Sequence, residues 1–348
     1  MLTWLPQKEN YSKKGTILIN AFWILSILLL VVSAFAWRIS LELKISKMFT
    51  SRAKATPAAK AGLYWAMDVK KKDKNDFDSL NPELDPWVNN EKDFKEKIID
   101  KEDVETMVSI RYIDHYDAEG NPVYYYGLID EERKINLNLD ININITIGNQ
   151  KIDITASEIL KTLLHNLNIP VLNPEIISAI IDWRDGDNKI GLSNEPEPDN
   201  YRNGKFRVLE ELLILKDMDK EKFAVLQKYL TVYGSGKINV NTAERKVLLA
   251  VVNSVLDFLK RYISNISLDS HSLVDQIITQ REVSPFKNIE ELLPFFGGIP
   301  ISSQMLNALL EVRSTAFQTN IEVNMGKVKK TVKAIFNTEK KILYWNED

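Results

Sequence analysis

The sequence predicts an α+β fold in which a long N-terminal helix precedes a β-rich unit that is interrupted by a block of helices. Three observations predict it: an uncharged apolar run near the N-terminus, β-like segments in both the first and the last thirds of the chain, and helical periodicity between them. The chain has 348 residues, which is long for one hydrophobic core and predicts more than one packed unit.

The first element is the run Thr16–Trp37, which contains 22 consecutive residues without a charge. As a helix it rises about 33 Å, enough to cross a hydrocarbon core of about 30 Å. Three lysines and one glutamate precede it, so the positive-inside rule keeps the N-terminus cytoplasmic and places roughly 300 residues across the membrane. Two other readings stay open here, a plain membrane anchor and a secretory signal that ends near Ala34-Phe35-Ala36.

The helical pattern continues after the run but becomes amphipathic, which predicts a stem that reaches about Asp68. The charged stretch Lys70–Asp78 predicts a loop, and residues 82–101 predict a short amphipathic helix.

The β-like segments are rich in β-branched and aromatic residues and are separated by turn residues. Two hairpins are predicted, from Val104–Asp114 with Val123–Ile129 and from Leu139–Ile147 with Lys151–Ile154. Three further strands are predicted at Phe317–Asn324, Lys327–Phe336 and Ile342–Trp345. The helices predicted between them span residues 157–168, 174–183, 207–215, 219–230, 243–262, 271–282 and 302–313.

The amino-acid composition argues against several classes of function. The chain has 45 basic and 48 acidic residues, which argues against a protein that mainly coats nucleic acid. With no cysteine, a disulfide framework, a thiolate zinc site and a cysteine nucleophile are excluded. Three histidines (His115, His165 and His271), far apart in the sequence, make a histidine-rich metal site improbable.

The residues around the apolar run resemble the leader of type IV pilins and pseudopilins. Lys13-Lys14-Gly15 stands immediately before the run, where a membrane aspartyl peptidase of that family cuts between Gly15 and Thr16. The apolar helix then stays on the mature protein as an anchor and packing stem. Mature pilins usually carry glutamate as the fifth residue, whereas this chain has Asn20.

Five later motifs, in this order, resemble protein K of the type II secretion system. They are GLIDEERKINLN at 127–138, IDWRDGD at 181–187, LEEL at 209–212, GKINVNTA at 236–243 and FKNIEEL at 286–292. The absence of the fifth-position glutamate fits that family.

The resemblance implies a leader at residues 1–15 and a pilin-like helical stem at 16–70. It also implies a pilin-like α/β unit with an antiparallel sheet at 71–154 and 315–348, interrupted by a large inserted all-α domain at 155–314. The expected role is that of a minor pseudopilin at the pseudopilus tip, anchored by a single pass in the bacterial inner membrane, with a methylated N-terminus and a periplasmic bulk. Expected partners are proteins I and J of the system, the major pseudopilin and the prepilin peptidase. A type IV pilus minor pilin or adhesin is the alternative.

The segment Asp182–Asp199 is strongly acidic, with six carboxylates and two basic residues. Carboxylates this dense are either solvated or bridged by a hard cation, and the residues alone leave both readings open. The spacing of an EF-hand loop is absent. The resemblance to protein K implies structural Ca²⁺ here, with candidate ligands Asp182, Asp185, Asp187, Glu195, Glu197 and Asp199.

The sequence does not favour two other classes of function, nucleic-acid binding and catalysis. Gly298-Ile299-Pro300 suggests a helix-hairpin-helix turn, but proline removes a backbone donor, and residues 237–313 carry eight basic and eight acidic residues. Nucleic-acid binding is therefore not expected. The chain shows none of the common hydrolase or phosphate-loop motifs, and Glu131–Lys134 reads as a charged turn between strands. An enzyme is not expected either.

Overall fold

The computed structural model describes residues 12–100, 106–147, 150–185, 202–263, 266–299 and 301–347. The chain divides into two compact units, residues 1–57 and 58–348, which are described separately.

The first unit consists, in its described part, of helix α1 (Ser12–Lys72), which continues into the second unit. Between Gly15 and Pro57 the chain has many residues of high helix propensity and no glycine, which favours an unbroken helix in this unit. The helix ends at Lys72 with three lysines in its last turn, where the partial negative charge of the helix terminus favours cations.

The second unit is built around a sheet in the order β1-β2-β12-β13-β14, with β5 also paired to β12. These strands are β1 (Lys97–Asp100), β2 (Thr106–Ile110), β5 (Ile129–Asp130), β12 (Ala316–Met325), β13 (Val328–Asn337) and β14 (Ile342–Glu347). The strand pairs described in this sheet are antiparallel. Because β12 pairs with both β2 and β5, the C-terminal strands complete a sheet that begins before the helical block.

Within the second unit, the last turns of α1 lie directly on this sheet. At Gly62 a Cβ atom would lie 2.8 Å from Val108 Cγ1 and 3.1 Å from Ile321 Cγ2. Glycine therefore permits a close approach of the helix backbone to β2 and β12. Buried Leu63 and Met67 extend the same packing.

In the described part of the chain, four two-stranded sheets accompany the main one. They pair β3 (Tyr112–Tyr116) with β4 (Pro122–Tyr125), β6 (Ile135–Asn136) with β9 (Leu230–Thr231), β7 (Ile143–Ile147) with β8 (Gln150–Ile154), and β10 (Ile238–Asn239) with β11 (Leu310–Glu311). The hairpin predicted from residues 104–114 and 123–129 is right only for β3 and β4, because β2 turns away into the main sheet. The second hairpin is confirmed as the β7–β8 pair, and its turn at 148–149 lies outside the described residues.

Most helices of the second unit lie between β8 and β12, as the periodicity predicts. They are α3 (Ala156–Asn166), α4 (Pro174–Arg184), α5 (Lys220–Leu226), α6 (Arg245–Lys260), α7 (Ser270–Val283) and α8 (Ser303–Leu309), with 3-10 helices at Leu209–Ile214 and Ile289–Phe296. Helix α2 (Glu91–Phe94) lies earlier, between α1 and β1. Side-chain caps begin several of them: Thr155 accepts from the Glu158 amide and Asn173 from the Ile176 amide.

One hydrophobic cluster holds this block together. Helix α6 contributes nine buried residues to the cluster and packs against α3 and α7. The predicted α+β class is confirmed, with an N-terminal helix, antiparallel strands and an intervening helical block. Some predicted elements were wrong in detail. The helix predicted at 207–215 is a 3-10 helix over Leu209–Ile214, and the helix predicted at 302–313 ends at Leu309 and is followed by β11.

Candidate functional site

The N-terminal part of α1 has the properties of a membrane-spanning segment. Among the described residues, α1 is the one helix long and apolar enough to cross a membrane, with a mean hydropathy of 2.5 over its most apolar window. Phe22, Trp23 and Leu30 are each more than 60% exposed, so their apolar surface is available to lipid or to other helices. Gly15, Thr16 and Asn20 lie in this helix. Cleavage after Gly15 stays a prediction.

The acidic segment begins at the end of α4. Asp182 is buried, and the neighbouring Trp183 stacks on Phe206 with ring centroids 5.3 Å apart. The Gly204 amide donates to the Trp183 carbonyl oxygen over 2.9 Å, so the chain returns to the helix end after the segment. Trp183 and Gly204, which lie on either side of residues 186–201, are therefore held together.

Four of the six candidate calcium ligands, Asp187, Glu195, Glu197 and Asp199, lie outside the described residues, whereas Asp182 and Asp185 lie at the end of α4. In the described part of the chain, no group of three or more potential ligands could hold a metal. The donor chemistry suits a hard cation, because the whole segment offers carboxylate oxygens. The ligand set stays a prediction.

A buried polar cluster joins the end of α1 to the segments that enter and leave the helical block, and we call it the polar junction. Its members are Lys70, Asp73, Asp78, Asp85, Asp130, Glu131, Glu132, Lys134, Asn239, Thr242 and Ser314, all buried. Burial of so many ionisable groups is costly unless each is paired or hydrogen-bonded. Ion pairs and hydrogen bonds within the cluster supply those partners.

Lys70 connects the end of α1 to the loop that follows it. Its Nζ lies 2.7 Å from Asp73 Oδ2 and 2.8 Å from Asp78 Oδ1. The same ammonium group lies 4.6 Å from the ring centroid of Trp87 and 4.5 Å from that of Phe317. The predicted loop at Lys70–Asp78 is thus only partly right, because its first residues close α1 and several of its charges are buried.

Asn239 connects three separate parts of the chain. Its Nδ2 donates to Asp78 Oδ2 over 2.9 Å and to Ser314 Oγ over 2.8 Å, and it lies 3.2 Å from Asp130 Oδ2. Asp130 Oδ2 also accepts from the Thr242 hydroxyl over 2.5 Å. Two residues of the GKINVNTA motif therefore contact the Asp130 carboxylate of the GLIDEERKINLN motif, so the two motifs meet in the fold.

The charged turn predicted at Glu131–Lys134 does lie between two strands, β5 and β6, and most of its charges are buried. Residues Glu131–Arg133 form a 3-10 helix in which both glutamates are buried. Glu131 is bonded to Lys134 Nζ over 2.7 Å and accepts from Thr231 Oγ1 over 2.5 Å. The partner Thr231 lies 100 positions away in sequence, so no local pattern could reveal the pairing.

Burial and crowding of like charges change the protonation of the polar junction. Burial, followed by the charge of Asp78, raises the pKa of Asp130 to about 7. Burial, followed by the charge of Asp73, raises the pKa of Asp85 to about 7. Both carboxyl groups therefore titrate near neutrality instead of near pH 4.

Comparison with known proteins gives a family match and a structural likeness. Residues 134–235 match the family model of type II secretion system protein K. No curated protein sequence matches the chain. Among solved structures, a chain of the GspK-GspI-GspJ complex from the enterotoxigenic Escherichia coli type 2 secretion system is similar in fold, with a TM-score of 0.50 and 15% identity over 87% of this chain and 97% of that chain.

The family match relates residues 134–235 to type II secretion system protein K, and the structural likeness supports the fold. The matched region begins inside the polar junction, at Lys134, and includes the acidic segment. The resemblance to type II secretion protein K predicted from the sequence motifs is thereby confirmed, for residues 134–235 by the family model and for the fold by the crystal structure.

Proposed function

We propose that the chain is a minor pseudopilin at the tip of the type II secretion pseudopilus, where it begins or caps assembly with other minor pseudopilins for protein export across the outer membrane. The observation that carries this proposal is the protein K match at residues 134–235, in a chain that also has an apolar N-terminal helix. The role is assembly and not catalysis.

The proposed mechanism uses the N-terminal helix first as a membrane anchor and then as a packing stem. After cleavage by the prepilin peptidase between Gly15 and Thr16, the exposed apolar side chains of the stem leave lipid for contacts with other stems. A subunit at the tip has no neighbour above it, so it needs no carboxylate at the fifth position to pair with the charged N-terminus of that neighbour. Asn20 at the fifth mature position suits that place, because burial of an unneeded carboxylate in lipid is costly.

The proposed partners are the proteins of this system that correspond to GspI and GspJ, which accompany GspK in the similar crystal structure. The test is co-expression of the full-length chain with both candidates, detergent extraction and affinity purification. A stable three-protein complex is the expected result. If the two candidates bind each other but not this chain, the tip assignment is wrong.

Processing and orientation are tested on the same protein. Mass spectrometry of the purified chain should show loss of residues 1–15, and a Gly15→Leu variant should keep them. Protease added from the periplasmic side should degrade the globular part. An intact leader in the wild-type chain, or a protected globular part, would contradict the proposed topology.

The alternative, a type IV pilus minor pilin or adhesin, shares the leader and the stem. It differs in gene neighbourhood and in phenotype. Deletion of the gene should block export of proteins across the outer membrane while surface pili remain. Loss of pili with normal export would favour the alternative.

We also propose that the acidic segment binds structural Ca²⁺. The support is the concentration of carboxylates between two chain ends that meet at Trp183. At calcium concentrations about 100 times the dissociation constant, binding stabilises the folded state by about 2.7 kcal/mol, or roughly 5–10 °C in melting temperature. An Asp187→Asn variant should lose that gain while Glu339→Gln keeps it. An equal melting temperature with calcium and with chelator would show that the acidic segment does not bind structural calcium.

A further inference from the structure

The β3–β4 hairpin carries an exposed apolar surface on one of its faces. Ile113 lies opposite Tyr124 in the register of the hairpin, and Tyr116 lies opposite Pro122. Directly opposed residues share a face, and so do residues two positions apart in one strand, such as Pro122 and Tyr124. These four side chains therefore form one surface, which we call the hairpin patch. Tyr116 is 62% exposed, Ile113 44% and Tyr124 37%, and Pro122 is exposed as well.

A β-bulge at Asp114 brings Tyr116 to this face. The pairing shifts by one residue between Ile113 and His115. In a regular strand, residues three positions apart point to opposite faces, so Ile113 and Tyr116 share a face only because Asp114 is an extra residue. Bulges often lie next to functional sites, where they re-aim a side chain in this way.

Tyr124 is held in place from the main sheet. Its ring centroid lies 4.0 Å from Cζ of Arg111. The guanidinium group is itself fixed by Glu322 in β12, because its Nη2 lies 2.7 Å and its Nε 3.1 Å from Glu322 Oε2. Part of the hairpin patch is thus ordered before a partner arrives, which lowers the entropic cost of binding.

The charge around the hairpin patch is negative. Residues 112–126 include three acidic residues, Asp114, Asp117 and Glu119, and no lysine or arginine. Asp117 accepts from the Asn121 amide over 2.7 Å, and this hydrogen bond holds the pKa of Asp117 below its usual value. A partner that fits this surface therefore presents apolar side chains with basic groups at their rim.

The size of the hairpin patch indicates how such a partner is held. Its side chains expose on the order of 400 Å² of apolar surface, in the range of functional patches on monomers. A stable complex needs about 800 Å² on each partner. The hairpin patch is therefore large enough only for a neighbour that a second contact already holds. The exposed apolar side chains of Thr16–Trp37 offer that contact to another membrane-anchored stem, and two linked contacts strengthen each other.

We propose that the hairpin patch docks a neighbouring minor pseudopilin, through an apolar surface with a basic rim, while the stems of the two proteins pack together. The inference rests on the proposed function, because it requires a partner anchored by its own stem in the same membrane. Tyr116 and Tyr124 are the expected anchors, since tyrosine offers a large amphipathic surface with few rotatable bonds. The acidic turn attracts the basic rim and disfavours acidic partners.

The test measures binding of detergent-solubilised candidates, the proteins of this system that correspond to GspI and GspJ, to the immobilised full-length chain. Tyr116→Ala and Tyr124→Ala should each weaken binding of one candidate by about tenfold, mainly through faster dissociation. Glu119→Lys should slow its association several-fold. The control Tyr262→Ala removes an exposed tyrosine of the helical block and should bind as the wild type does. The melting temperatures of these variants should stay close to that of the wild type, because the side chains are exposed.

A crosslink gives a second readout that does not depend on affinity. The chain has no cysteine, so Tyr116→Cys provides a single attachment point for a photo-crosslinker. In the co-expressed complex the crosslinker should join this variant to one of the two candidates, whereas the same group on Tyr262→Cys should not.

Two outcomes would overturn the inference while the proposed function stands. One is a three-protein complex in which the tyrosine variants and Glu119→Lys bind as the wild type does. The other is an adduct of Tyr116→Cys with a second copy of this chain or with an exported protein. If the wild-type chain forms no complex with either candidate, the proposed function fails and this inference fails with it.

Discussion

Replacement of Asn239 by alanine should be among the most destabilising single changes in the chain. The side chain is completely buried and contacts Asp78, Asp130 and Ser314, which come from three separate segments. Its Oδ1 also accepts from the Asn241 amide over 3.0 Å. Alanine would leave these groups buried with fewer donors, and two carboxylates would face each other with less screening.

The magnitude follows from the number of bonds. The Nδ2 group has two hydrogens, and its two shortest bonds go to one carboxylate and one hydroxyl. A bond to a charged group contributes about 1.5–3 kcal/mol and a neutral one about 0.5–1.5 kcal/mol. With the bond to Asn241 added, Asn239→Ala should cost about 3–5 kcal/mol, or roughly 6–20 °C in melting temperature.

The assay is differential scanning calorimetry of the detergent-solubilised full-length chain. The control is Asn307→Ala, which removes a surface hydrogen bond of 3.2 Å to Glu290 and should change the free energy of unfolding by about 0.5 kcal/mol or less. If Asn239→Ala melts within the range of the control, the polar junction does not stabilise the fold as its geometry indicates.

Three further predictions concern the same unit. Phe317→Ala should cost about 3–5 kcal/mol in calorimetry, because Phe317 is completely buried and its ring lies edge-on to Trp87 at 5.2 Å. Asp85 has a pKa raised to about 7, so its contribution to stability is complete below about pH 4 and is lost as the pH rises to about 7. In melting curves taken across that range, the melting temperature of Asp85→Asn should fall less with pH than that of the wild type. An equal fall in both proteins would show that Asp85 does not titrate in this range. Gly127→Ala should cost about 1–3 kcal/mol in denaturant unfolding, because a Cβ would overlap the Trp87 carbonyl oxygen, whereas Gly204→Ala, with no atom within 4 Å of its Cβ, should be tolerated.

The elements that could be predicted from the sequence are those whose signal is local. The apolar run, the helical periodicity at α3, α4, α6 and α7, and the alternation in β12 and β13 each lie within one segment. These signals predicted the α+β class and the position of the helical block. The motif order predicted the family.

The polar junction could not be predicted, because its partners are distant in sequence. The DEERK stretch at 130–134 has the composition of an exposed turn, and burial becomes favourable only through donors such as Thr231, Asn239 and Thr315. A short-range pattern contains no information on such pairings.

The order of the strands also bears on how the chain reaches its native state. Strand β12 pairs with β2, and the ion pair between Arg111 and Glu322 near this pairing spans 211 positions. Contacts of such separation form slowly, because a long loop must close before they contribute. Synthesis of almost the entire chain must be finished before the central strand is available, while the helical block, whose contacts are more local, can fold earlier. A nascent chain that has not reached residue 316 therefore leaves unpaired the edge of β2 that β12 covers.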